Sequence, residues 1–414
     1  MYERFTLSNG VTVALDHMDG VRSASLGLWI RAGTRNEIPG EAGAAHFIEH
    51  MLFKGTKNLD SAQLAERMDD LGAEFNAYTS RESTSYYVRS LDRNLSSAAA
   101  LLGDMFFNST FNAADMDTER GVILDEMRMY EDMPDDVANE MLVRTCFPGA
   151  LGKPVLGSRE SIQAMGRETL LSFKGRVYVP GNIVLAAAGH FSDSGIKALL
   201  DELAALPAHP APEPERAAYT PGIAVEQRKT EQNQLLLAFP GVTYAEERYV
   251  IGIMNTILGG SASSRLYRKL RDELGLCYDL ESFDMTYADT GLFGIGAAMS
   301  AENEKPALEA ITAELRRFLD DGPSPAELDR AKAQAESGAV LALESSLARM
   351  RALGNGELFL GGAPGIDELL ERYAAVTRED VLALARRLID FSRLSVAALG
   401  EVQSREEYEK LCAL

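Results

Sequence analysis

The chain has 414 residues, 46% apolar and 25% charged, with a formal net charge of −21. That length fits two or three domains of about 150 residues, each able to bury a core. The acidic balance, with no basic cluster, makes nucleic acid and anionic membrane poor partners. The three dispersed cysteines, Cys146, Cys277 and Cys412, argue against a disulfide framework or a thiolate-bound metal. No basic segment followed by an apolar run opens the chain, and no 18-residue apolar run occurs. The expectation is a cytoplasmic protein without a signal peptide or transmembrane helix.

Arg4 to Asp16 reads as two short strands around the turn Ser8-Asn9-Gly10, and Ser23 to Arg31 as a buried strand. His17, between them, is expected to be exposed and without a role. A polar loop from Arg35 to Gly43 leads into His46-Phe-Ile-Glu-His50. On a helix His46 and His50 share one face, a turn apart, and both imidazoles can reach one point. Zinc wants about four ligands at ~2.0–2.3 Å. Glu49 lies beside that point, where a carboxylate that is not a ligand can take a proton from a zinc-activated water. Two histidines so spaced are usually unrelated to metal. Here two of only five histidines fall in one pentad, flanked by Phe47, Ile48, Met51, Leu52 and Phe53, so buried charges there need partners.

Ser61 to Leu71 reads as a helix with Ser61 as N-cap and Gly72 as its stop. Ala73 to Glu82 and Thr84 to Leu91 alternate as a hairpin, and Leu95 to Asn108 is an apolar helix. Asn112, with Asp115 in the capping-box position, opens a helix carrying Glu119 and Glu126, two turns apart and hence on one face. A lone Glu on such a helix usually faces solvent. Two in register beside an apolar stripe can point inward, one completing a His2Glu set, another orienting a ligand histidine from behind. Pro134 and its acidic neighbours break the pattern. Phe147 to Gly157 is a loop, Ile183 to Gly189 an apolar strand, and His190 a polar strand end.

Leu206 to Gly222 holds five prolines and reads as an extended linker, with His209 exposed. It divides a first domain, 1–206, from a second, 223–414. Asp69-Asp-Leu-Gly-Ala-Glu-Phe75 is echoed by Asp272-Glu-Leu-Gly-Leu-Cys-Tyr278, and Lys54-Gly-Thr56 by Gly259-Gly-Ser261. The offsets, 272 − 69 = 203 and 259 − 54 = 205, are near half the length and predict two similar α+β domains. Where the first has His46, Glu49 and His50, the second has Tyr249 to Met254, with no ligand type. The second domain is expected to lack the metal, and Arg265 and Arg268 to form a solvated basic face.

Taken together, these residues resemble the M16 metallopeptidases, the pitrilysin and mitochondrial processing peptidase group. The resemblance covers nearly the whole chain. It rests on His46 to His50, Glu119 through Glu126, Asn76-Ala-Tyr-Thr79, Tyr178-x-Pro-x-Asn182, and Arg271 with Tyr278. It implies an α+β fold of two homologous domains, each a mostly antiparallel sheet packed with helices, of the LuxS/MPP-like metallohydrolase type. It implies His46, His50 and Glu126 as zinc ligands, the last 126 − 50 = 76 residues beyond the second histidine. Glu49 would be the general base and Glu119 the carboxylate behind the ligands. Asn76 and Ala77 would pair with substrate backbone, and Arg271 and Tyr278 would hold the substrate carbonyl and its oxyanion. Long relatives carry four such domains and this chain two. The resemblance therefore implies a dimer enclosing a chamber, a homodimer or a heterodimer; that Arg271 and Tyr278 serve the partner's zinc is a hypothesis, and the sequence leaves action in cis or in trans open. The Phe147 to Gly152 loop lacks a histidine often found there in relatives.

The expected activity is that of a zinc endopeptidase acting on peptides or unfolded segments. The alternatives are a non-catalytic or partner subunit of a heterodimeric peptidase and a protein whose metal is structural. The complete H-x-x-E-H sequence favours catalysis.

Overall fold

The structure, a computed structural model, describes residues 2–412, with side chains through residue 410. Its internal contacts divide it into two units. The first comprises residues up to Arg128, Lys153–Glu215 and Val340–Gly365; the second comprises Met129–Gly152, Arg216–Ala339 and residues from Ile366 on.

The first unit is built on a six-stranded sheet in the order β1-β2-β6-β3-β5-β4. Its strands are β1 (Glu3–Thr6), β2 (Thr12–His17), β3 (Ser23–Ile30), β4 (Glu74–Thr79), β5 (Thr84–Leu91) and β6 (Ile183–Gly189). All pairs are antiparallel except β2 with β6. Side chains alternate across a sheet. Leu26, Leu28 and Ile30 of β3 therefore enter one core with α1 (Ala44–Leu52), α2 (Ser61–Asp70) and α3 (Leu95–Asn108). Trp29 enters a second core, on the opposite face. Both faces of β3 are covered, which is why it reads as an unbroken apolar run.

The second unit has a five-stranded sheet in the order β7-β11-β8-β10-β9. These strands are β7 (Ile223–Gln227), β8 (Asn233–Pro240), β9 (Asp279–Thr286), β10 (Gly291–Met299) and β11 (Ser395–Gly400). Again one pair, β7 with β11, is parallel and the others antiparallel. Without β1, the two strand orders and directions coincide, so the short sequence echo reflects a repeated α+β fold.

Chain order does not follow the units. After α4 (Ala113–Glu131), helix α5 (Pro134–Cys146) leaves the first unit. Its Ala138, Met141 and Leu142 pack with Leu236, Ala238 and Leu399 on the second sheet. In return the helix Ser346–Leu360 places Met350, Leu353 and Leu358 against Trp29, Tyr87 and Val184 of the first. Leu206 to Gly222 contains neither helix nor strand, and the units divide within it.

Two local expectations are corrected. The cap of α2 is Asp60, not Ser61: its carboxylate accepts from Gln63 N–H at 2.9 Å and Gln63 returns the bond to Asp60 N–H. Arg265 is not on a solvated face. Its side chain is 11% exposed and paired with Glu327 at 2.7 Å and Glu314 at 3.7 Å, whereas Arg268 is exposed. The Asn112 cap is found as expected, accepting from Asp115 N–H at 2.9 Å. Cys146 and Cys277 are free thiols, and the Cys412 side chain lies outside the described residues. Among the described residues no helix is long and apolar enough to cross a membrane.

Candidate metal centre

Helix α1 holds the pentad, and its start is fixed from outside. Glu37, buried in the preceding loop, accepts Gly43 N–H and Ala45 N–H, each at 3.0 Å. These are free donors of a helix N-terminus, satisfied by a carboxylate. Burial pushes the Glu37 carboxyl up to about 8, against those two bonds. Gly43 itself sits at φ 88°, a left-handed conformation, and a Cβ there would lie 2.8 Å from Leu156 O.

From α1, His46 and His50 project together, their rings 4.6 Å apart and inclined at 69°. From α4, Glu126 meets them: its Oε2 is 3.7 Å from His46 Nε2 and 3.6 Å from His50 Nε2. These separations are too long for hydrogen bonds. Two donors on one tetrahedral zinc at ~2.05 Å stand about 3.3 Å apart. Glu126 Oε2 is buried and has no hydrogen-bond partner. An oxygen left bare beside two imidazole nitrogens fits a cation between them. The ligand atoms of all three residues lie within 4.8 Å of one another. The other such cluster among the described residues, Glu3, His17 and Asp193, is exposed, with His17 Nε2 paired to Asp193 at 3.2 Å.

Glu119, two turns before Glu126 on α4, is not part of this set. It is buried, and its Oε2 lies 3.0 Å from His50 Nδ1. That contact leaves Nε2 of His50 turned toward Glu126. Glu49 is half-buried beside the site and accepts a hydrogen bond from the Thr79 hydroxyl at the end of β4. Thr79 closes the Asn76-Ala-Tyr-Thr79 motif, but its bond to Glu49 is a contribution that sequence reasoning missed.

Burial and neighbouring charge act differently on each of these groups. Burial, helped by His50, draws His46 down to about 4, so it is a neutral imidazole near pH 7. Burial also works against a charged His50, but Glu126 and Glu119 outweigh it and raise its pKa. His50 holds Glu126 below the usual carboxylate range despite burial. Burial raises Glu49, against the Thr79 bond and the charge of His50. A raised carboxylate is what a base working near neutrality requires.

Asn76 and Ala77 lie on β4, the edge strand, opposite Tyr87 and Tyr86 of β5. Ala77 N–H is held by Asn76 Oδ1 at 2.7 Å. Arg271 and Tyr278 belong to the second unit and touch each other. Arg271 lies on a π-helical turn, Arg268–Glu273, with its guanidinium 4.9 Å from the Tyr267 ring and 5.1 Å from the Tyr278 ring. Tyr278 is 71% exposed. His190 binds Asp92 at 2.8 Å at the strand end, and His209 is exposed.

Fold and site together define a two-unit α+β protein with a His2Glu cluster in the first unit, His46 buried and His50 and Glu126 partly so. Comparison with known proteins gives it a family. Residues 12–159 match the model described as insulinase, peptidase family M16, and residues 164–335 match the peptidase M16 inactive domain. The chain is 35% identical to the "uncharacterized zinc protease YmxG" of Bacillus subtilis over 98% of its own length and 100% of that protein's. It is 35% identical to an "uncharacterized zinc protease" of Streptomyces coelicolor, covering 97% of this chain and 90% of the other. A solved peptidase M16 inactive domain from Pseudomonas fluorescens shares the fold at a TM-score of 0.90 and 22% identity, covering 97% and 99% of the two chains. A protease from Helicobacter pylori does so at 0.90 and 21%, with the same coverage. The chain belongs to peptidase family M16.

Proposed function

We propose that this chain is a zinc-dependent endopeptidase in which His46, His50 and Glu126 hold the metal. The observation that carries this is the bare Glu126 oxygen facing two imidazole nitrogens, with Glu119 bonded behind one of them. The zinc-protease names of the relatives support the same reading. When bound, zinc supplies Lewis acidity, lowering the pKa of water toward 7 and polarising a peptide carbonyl. The chain's own groups supply the rest. Glu49 takes the proton of the attacking water and returns it to the leaving amine. The Thr79 hydroxyl keeps the Glu49 carboxylate turned in one direction. The edge of β4 at Asn76 and Ala77 aligns an extended peptide by strand addition.

Arg271 and Tyr278 offer a guanidinium and a phenol to a carbonyl oxygen that gains charge. In our reading they serve a partner chain's zinc in a homodimer that encloses peptides or unfolded segments. The alternative, a non-catalytic subunit, is weakened by the position of the family match called inactive: it begins at residue 164, beyond every proposed ligand.

One experiment tests the reading. A peptide mixture is digested by the wild type, by chelated protein, and by heterodimers of Glu49→Gln with Tyr278→Phe subunits. Cleavage that chelator abolishes and zinc restores is expected, with partial recovery in the heterodimers. Cleavage indifferent to chelator would remove the metallopeptidase assignment, and verified heterodimers without recovery would remove the action in trans.

A further inference from the structure

We propose that Lys54 is a positioning residue of the metal centre, acting on His50 through Glu119. The inference rests on the ligand reading above. Lys54 follows the end of α1, where its backbone N–H still bonds Met51 O at 3.2 Å. The next residues pin it: Gly55 takes φ 114°, Thr56 N–H bonds Leu59 O at 2.8 Å, and Thr56 Oγ1 donates to Asp104 at 2.6 Å. From this fixed turn the Lys54 ammonium reaches inward to Glu119 Oε1 at 2.8 Å, an ion pair off the hydrogen-bond direction. The other oxygen, Oε2, is the one at 3.0 Å from His50 Nδ1.

The Glu119 side chain is 3% exposed and that of Lys54 34%. A carboxylate buried so far needs a compensating charge. An imidazole whose other nitrogen held a metal would be neutral and offer it none. Lys54 does, and it ties the carboxylate at the end remote from His50. The row Lys54–Glu119–His50 thus sets the ring direction of a ligand from a residue outside the ligand set.

The sign of the effect separates this from simple charge. Removing a cation near a site for a divalent cation should tighten metal binding through space. Removing a strut that orients a ligand should weaken it, and such outer partners typically contribute 10–100-fold. For Lys54→Met, which keeps the length of the stem, zinc binding is expected to weaken about tenfold, with Lys54→Arg retaining most of the affinity.

The test is zinc competition against a chromophoric chelator, at one pH and salt, on the full-length protein. The cycle runs over wild type, Lys54→Met, Glu119→Gln and the double variant. If Lys54 acts through Glu119, Lys54→Met has no further effect in the Glu119→Gln background. Tighter or unchanged binding in Lys54→Met, or effects that add in the double variant, overturns the proposal. Should Lys54→Met not fold, Lys54→Gln enters the same cycle with the same two outcomes. His50→Ala guards the underlying reading. If it binds zinc as the wild type does, the ligand assignment fails, whereas a silent Lys54 beside a zinc-free His50→Ala sinks the positioning role alone.

Discussion

Glu49→Gln is expected to lower kcat by about 10²–10⁴-fold, the usual contribution of a positioned general base. At about 1.4 kcal/mol per tenfold, that is roughly 3–5 kcal/mol of transition-state stabilisation. The substitution keeps shape and volume, and the amide carbonyl can still accept from the Thr79 hydroxyl. It removes only the ability to take a proton. Glu49 is not in the cluster of His46, His50 and Glu126, so zinc content should stay at one ion per chain. Steady-state kinetics beside metal analysis checks both halves. A variant with near-normal turnover would displace Glu49 from the mechanism. One that loses zinc would make it a ligand.

Gly354→Ala should destabilise the first unit by about 2–3 kcal/mol, the cost of forcing a methyl into a packed interface. In most helices this change stabilises by up to about 1 kcal/mol, since alanine is the better helix former. Here a Cβ would lie 2.3 Å from Trp29 Cδ2 and 2.4 Å from Cε2, at the fused bond of a rigid ring system that is 3% exposed. Helix Ser346–Leu360 must lift from the sheet or Trp29 must leave its rotamer. Trp29 is the only tryptophan, so its fluorescence reports this interface during denaturant unfolding. A midpoint equal to or above that of the wild type would contradict the close approach.

Much of the site could be read in advance because it is local. The pentad and the two glutamates of α4 each lie within a few helical turns, where spacing fixes direction. The strands of the first unit and the α3 helix are legible for the same reason, their apolar periods being intact, whereas the second sheet is reached only through the repeat. The exchange of α5 and Ser346–Leu360 between units is not legible, since an apolar helix stripe does not name the sheet it covers. Arg265 failed for a related reason: arginines at helical spacing look solvated until Glu314 and Glu327, distant in sequence, are brought beside one of them. Lys54 carried a weak signal, four residues after His50, but nothing in the sequence shows that its ammonium meets Glu119 rather than water. The α2 cap falls one residue before the expected Ser61 because Asp60 and Ser61 are both good caps. The reciprocal bonds with Gln63 select Asp60.

The claim beneath all of this is that imidazoles from α1 and a carboxylate from α4 share a single zinc ion. X-ray absorption at the zinc edge of reconstituted full-length protein measures it directly. Two imidazoles with oxygen donors at about 2.0–2.2 Å and no sulfur are predicted, with one imidazole lost in His46→Ala. A sulfur shell, or a spectrum unchanged by His46→Ala, would contradict it.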